Sequence, residues 1–275
     1  INVVLDEQIT MTQTIMFSAF KGPFEERIEE WNKKLCMVSE VLDSWVAVQR
    51  SWLYLQPIFE SADINRQLPV EGKKFATVDK NWRSTISNAK QNAKVIDFCD
   101  NEKLLERFKD SEVLLEQVQK GLSDYLETKR SVFARFYFLS NDELLSILSE
   151  SKDVQRVQPH LKKCFEGIDK VKFLDDLKID RIISPEGEEI MLSELIDPVE
   201  KNVEHWMLEL EGAMRISIRD CMQVAIEDYM KTRRPKWMTK WAGMCVLNGS
   251  QLHWTKEMEE LFHDDGEKAP VLMLE

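Results

Sequence analysis

Glycine and proline are scarce in this chain of 275 residues, at nine and eight respectively. With 43% hydrophobic and 31% charged residues, that scarcity excludes a disordered or low-complexity segment. Cysteine is equally thin, at positions 36, 99, 164, 221 and 245. The number is odd, no two stand closer than 24 positions, and no Cys-x-x-Cys occurs. Reduced, buried thiols of an intracellular protein are expected, not a disulfide scaffold. A basic excess is missing: 37 Lys and Arg face 49 Asp and Glu, for a net charge of −12. That disfavours non-specific nucleic-acid binding, which needs a basic footprint, and broad contact with an acidic filament surface. Long apolar runs are missing too. Ile1 to Leu5 is far too short for a signal peptide and meets Asp6 and Glu7 at once, and nothing is long enough to span a membrane. The expected partners therefore include no nucleic acid and no membrane.

Catalytic motifs are also lacking. The only Gly-Lys pair, Gly72-Lys73-Lys74, has no upstream glycine and puts Lys where Ser or Thr would hold magnesium, so no ATP site is expected. There is no G-x-S-x-G elbow and no H-E-x-x-H pair. His160 and Cys164 are four apart and could face one metal from a helix, but without a second pair they read as a surface histidine and a packed cysteine. His205 beside Trp206 reads as a structural histidine. Carboxylate pairs such as Glu25-Glu26, Asp175-Asp176 and Glu188-Glu189 suit solvated helix faces better than an enclosed acid/base pair. No catalytic residue, cofactor or metal ligand is expected, and the chain is not read as an enzyme.

What is present is helical periodicity. Phe24, Ile28, Trp31, Leu35, Val38, Leu42, Trp45, Gln49 and Trp52 follow a four-three spacing without a slip. Such a seam makes a straight or gently supercoiled helix, roughly 48 Å long from Phe24 to Leu55 at about 1.5 Å per residue. Gly22-Pro23 suits its start, and Pro57 places its end near Gln56. Further helices are expected around Phe75 to Ile86, from Asn101 to Lys129, from Asn141 to Ser149, around His160 to Ile168, and from Pro198 to Met230. Gly121 weakens the seam of Asn101 to Lys129. Two apolar runs flanking Ser184-Pro-Glu-Gly187 predict a hairpin leaning on helices.

The fold expected is mainly α: an elongated stack of helical bundles with one small β-hairpin. Residues 1–262 would form one helical rod with a joint near 149–153, followed by a flexible tail over 263–275. The start at Ile1 rather than Met suggests a piece of a longer protein. A basic island, Lys231, Arg233, Arg234, Lys236 and Lys240, interleaves with Trp237 and Trp241. Single-stranded nucleic acid could use such a patch. A docking patch for an acidic protein fits the net charge better, and a packed Trp pair with solvated basic neighbours better still.

The densest signal is Phe133-Ala-Arg-Phe-Tyr-Phe-Leu-Ser-Asn-Asp-Glu-Leu-Leu145. Its aromatics run into Ser140, a good helix N-cap, with Glu143 placed to complete a capping box. This segment resembles Phe-Pro-Arg-Phe-Tyr-Phe-Leu-Ser-Asn-Asp-Glu-Leu-Leu of the dynein heavy-chain linker, axonemal dyneins coming nearest. Trp45-x-x-x-Gln49-x-x-Trp52-x-Tyr54-Leu55-x-Pro57-Ile58-Phe59, Asp63-Ile64-x-x-Gln67-Leu68-Pro69, Val157-Gln-Pro-His-Leu161 and Ser184-x-Glu-Gly-Glu188 are similar to further landmarks in the same order. Ala134 replaces the family's usual proline, and Trp241-Ala-Gly-Met244 stands where Trp-Pro-Gly-Gln is common.

The resemblance implies a lever that arches over a ring of six AAA+ modules and changes shape through the ATP cycle. Its partners would be the AAA+ ring of the same heavy chain and other axonemal dynein subunits. Its place would be cytoplasmic and cytoskeletal, in the ciliary or flagellar axoneme. The breaks at Pro57 to Pro69 and Ser149 to Asp153 would serve as hinges. Lys129, Arg130, Arg135 and Tyr137 are the candidate ring-docking residues, while Phe133, Phe136 and Phe138 are expected to pack inward. The alternative is a helical adaptor or scaffold binding proteins through its helix faces, for which repeated units of common period are missing.

Overall fold

The computed structural model describes residues 1–149 and 153–264. The chain divides into two compact units, Ile1–Glu127 and Thr128–Glu275. Eleven α-helices and three strands lie among the described residues, so the protein is mainly α.

The first unit opens with α1 (Asn2–Met16), which the heptad spacing does not announce. Thr10, Thr12 and Thr14 each turn a hydroxyl back to the carbonyl four residues earlier, the way threonine is accommodated inside a helix. Only Leu5 and Thr12 are buried on α1, hence its faint apolar pattern. After a 3-10 turn at Gly22–Phe24, α2 runs from Glu25 to Glu60. It passes through Pro57 instead of stopping before it. Leu55 and Phe59 are buried on either side, Phe59 stacks on Phe75 at 5.2 Å, and the Asn65 amide donates to the Phe59 and Ser61 carbonyls. This packing and capping hold the last turn despite the missing N–H.

The seam of α2 is also not a strict heptad. Leu35, Val38, Val41, Val48, Leu55 and Phe59 are buried, whereas Phe24 and Trp31 are 55% and 40% exposed. The buried face shifts along the helix, which packs against α1 and against the later helices Ala62–Gln67, Pro69–Gln91 and Val95–Cys99.

Three shorter segments and a long helix complete the unit: α3 (Ala62–Gln67), α4 (Pro69–Gln91), α5 (Val95–Cys99) and α6 (Glu102–Val132), whose last residues belong to the second unit. Half-buried Trp45 of α2 joins the aromatic cluster, with Trp82 of α4 at 5.7 Å, Phe98 of α5 at 6.0 Å and Phe108 of α6 at 5.4 Å between ring centres. Such aromatic pairs contribute beyond their buried area. Gly121 does not break α6; a Cβ there would sit 2.6 Å from Glu71 Cγ, so glycine permits a close approach.

In the second unit a 3-10 turn, Ala134–Phe138, leads to α7 (Asn141–Ser149). The expected joint at 149–153 includes residues 150–152, which lie outside the described residues, as do 265–275 of the expected tail. A second 3-10 turn, Val154–Val157, precedes α8 (Gln158–Cys164). The hairpin is present as β2 (Ile179–Ile183) and β3 (Glu189–Ile196), turning at Gly187 with φ of 83°. It carries a third antiparallel strand, β1 (Lys170–Phe173), in the order β1-β2-β3. The sheet rests on α9 (Val203–Tyr229), where the Ser193 N–H donates to Ser217 Oγ at 2.8 Å. The described part closes with α10 (Arg234–Lys240) and α11 (Gly243–Asp264).

Candidate functional site

The aromatic run of the second unit is built on a three-residue period. In a 3-10 turn, side chains three apart eclipse, so Phe133, Phe136 and Leu139 all face inward and are buried. Phe133 meets Phe136 edge-on at 4.9 Å and tilts against Phe165 at 5.9 Å. The same geometry turns Tyr137 and Phe138 outward, 57% and 72% exposed. Phe138 is thus not the inward residue that the run of aromatics suggests. Ala134 opens the turn, where a first-turn N–H needs no partner inside the turn.

The capping box is formed. The Ser140 N–H donates to Glu143 Oε2 at 2.9 Å, and the Glu143 N–H donates to Ser140 Oγ at 3.3 Å. Lys163 approaches Glu143 to 2.5 Å. The Lys163 contact first, and the Ser140 donors next, hold the Glu143 carboxyl down at about 2.

The four candidate docking residues surround this turn. Arg130 donates to the Leu139 carbonyl at 3.2 Å and to Asn141 Oδ1 at 2.8 Å, and lies 5.9 Å from the Tyr137 ring centre. It ties the end of α6 to the far side of the 3-10 turn. Arg135 donates to the Cys164 carbonyl at 3.2 Å, pairs with Glu211 at 3.5 Å and covers the Phe165 ring at 4.9 Å. It also forms part of the wall of a cleft of about 360 Å³ whose apolar side includes Ile182, Ile190 and Met214. Lys129 pairs with Glu204, and the two side chains are only 11% and 3% exposed. Nothing in sequence announces Glu204 as its partner, since 75 positions separate them. The three cations therefore hold the platform, and Tyr137 with Phe138 forms its outer surface.

The basic island resolves similarly. Trp237 is fully buried and donates to the Ala225 carbonyl at 2.7 Å. Lys240 and Trp241 both reach Asp228 Oδ2, at 2.8 and 2.9 Å, and Thr232 takes the other oxygen at 2.9 Å. These donors, Lys240 foremost, hold the Asp228 carboxyl at about 2. Cys164 is 2% exposed, and burial pushes its thiol up to about 12. His160 is half-buried and His205 exposed. Of the five thiols, all free, Cys99, Cys164 and Cys245 are buried while Cys36 and Cys221 are half-buried. No described helix is long and apolar enough to cross a membrane, and among the described residues no cluster of three His, Cys, Asp or Glu is placed to hold a metal.

Residues 1–225 match the family model "Dynein heavy chain, N-terminal region 2". The chain belongs to the dynein heavy-chain family. It is 50% identical over 257 residues to dynein axonemal heavy chain 1 of Mus musculus, covering 94% of this chain and 6% of that protein. Similarity to dynein axonemal heavy chain 3 of Mus musculus is 45% over 267 residues, 96% of this chain and 6% of that one. Dynein axonemal heavy chain 12 of Homo sapiens is 45% identical over 263 residues, 95% of this chain and 8% of its own length. This dynein segment therefore spans less than a tenth of the curated relatives it matches. The helices up to α8, the 3-10 aromatic turn and its capping box lie inside the matched region, whereas α10 and α11 follow it.

Proposed function

We propose that this segment is a force-transmitting lever of an axonemal dynein heavy chain, working over the AAA+ ring of the same chain without catalysis of its own. The observation that carries this reading is the family match over residues 1–225. The length of the helices supports it. The 36 residues of α2 extend about 54 Å and the 31 of α6 about 46 Å at 1.5 Å per residue. An aromatic core locks α2 to α4, α5 and α6, which suits a part that must transmit displacement without bending along its helices. Its setting would be the ciliary or flagellar axoneme, with other axonemal dynein subunits as further neighbours. The helix breaks at Ser61 and Leu68 are the hinge positions we favour, because helix-terminal residues absorb φ/ψ change.

Lys129, Arg130, Arg135 and Tyr137 belong to the ring-docking region in this proposal, with divided labour. The cations set the platform, and Tyr137 and Phe138 make the contact. Reversing Lys129 or Arg130 would disturb internal contacts first, so the informative variants are Tyr137→Ala and Phe138→Ala. In an intact motor these should slow microtubule gliding and uncouple it from ATP hydrolysis while leaving the melting of the segment unchanged. Unaltered velocity and coupling would remove the docking role. ATP turnover by the isolated chain above background would defeat the lever reading itself.

A further inference from the structure

Two thiols from different helices meet in the second unit. Cys245, in the first turn of α11, donates to Cys221 of α9 across 3.7 Å. Cys245 is fully buried, but Cys221 is half-buried and open to a small reagent. We propose that Cys221 and Cys245 form a dithiol modification site, oxidised to a disulfide by small disulfides of the glutathione type. The two helices already pack against each other, and closing the pair brings the sulfurs from 3.7 Å to a bond of about 2.05 Å.

The order of events follows from exposure. The Cys221 thiolate attacks one sulfur of the oxidised reagent, forming a mixed disulfide and releasing one reduced thiol. The Cys245 thiolate then attacks Cys221 Sγ, forming the internal disulfide and expelling the second reduced thiol. Two protein thiols lose two electrons and two protons, and one small disulfide gains them. Burial, then the Cys221 contact, then the Glu188 charge push the Cys245 thiol up to about 12, so the second step is the slow one. Glu188 sits there because its Oε1 accepts the Gly243 N–H at 2.7 Å. The β2–β3 turn thereby places a negative charge where the start of α11 would otherwise favour a thiolate.

The test is to expose the full chain to oxidised glutathione and follow intact mass and peptide maps. We expect a transient single adduct on Cys221, then a species two hydrogens lighter than the reduced chain, with residues 221 and 245 cross-linked. Cys245→Ser should stop at the Cys221 adduct, and Cys221→Ser should abolish the cross-link and leave no adduct on the peptide carrying position 221. Glu188→Gln, which keeps a cap for Gly243, should shorten the life of the adduct severalfold. The measurement on the unmutated chain stands even if a variant folds poorly. The proposal is overturned if Cys221 stays free under conditions that modify Cys36, the other half-buried thiol, or if its adduct persists without closing.

Discussion

Glu143 serves two neighbours at once, closing the first turn of α7 through Ser140 and receiving Lys163 from α8. Because its carboxyl is held near 2 rather than 4.5, this contact stabilises fully above its unfolded value and fades as pH falls toward 2. Melting temperatures of the native chain and Glu143→Gln should therefore differ at neutral pH and converge in acid. A gap that persists unchanged to pH 2 would contradict the assignment. Ser140→Ala should cost about 1 kcal/mol in denaturant unfolding. The buried pair Lys129–Glu204 behaves differently. Removing one partner by Glu204→Ala strands a buried charge and should cost about 3–5 kcal/mol, whereas the double change to Met and Leu should recover most of it. The two contacts also differ in how visible they were. Ser140 and Glu143 are three residues apart, and local backbone geometry makes their meeting readable from spacing. Lys129 and Glu204 are brought together by the fold, and the sequence carries no mark of it.

At the level of elements, periodicity reveals a helix and context decides where it stops. The run Asn141 to Ser149 appears as expected because cap, box and apolar face agree. Pro57 misleads because Phe59, Phe75 and Asn65 hold a turn that local preference would end. Strand β1 went unseen because Asp175-Asp176 looks like a solvated carboxylate pair. It is the turn between Phe173 and Ile179, where Leu177 takes φ of 63°, and acidic residues favour such turns. The 3-10 turn makes the sharpest prediction here. Phe136→Ala should cost about 3–5 kcal/mol as a cavity is opened among Phe133 and its neighbours. Phe138→Ala, on the exposed side of the same turn, should stay within about 0.5 kcal/mol. Equal losses for the two would mean that the three-residue period does not set what is buried.

For the whole molecule, the family was legible from an ordered set of landmarks, while composition alone described no more than a helical protein of net charge −12. The exposed aromatic pair is half legible: the aromatic run marks the place, but only the turn geometry separates Tyr137 and Phe138 from the rings beneath them. The central claim is that long helices fixed by an aromatic core transmit displacement and perform no chemistry. Val41 is fully buried at mid-span of α2, so Val41→Pro breaks that helix within its buried face. Microtubule gliding by an intact motor carrying this change, recorded with its ATP turnover, tests the claim most directly. The account predicts that gliding collapses while the ring continues to hydrolyse ATP. Gliding at full velocity, with α2 shown to be broken, would contradict it.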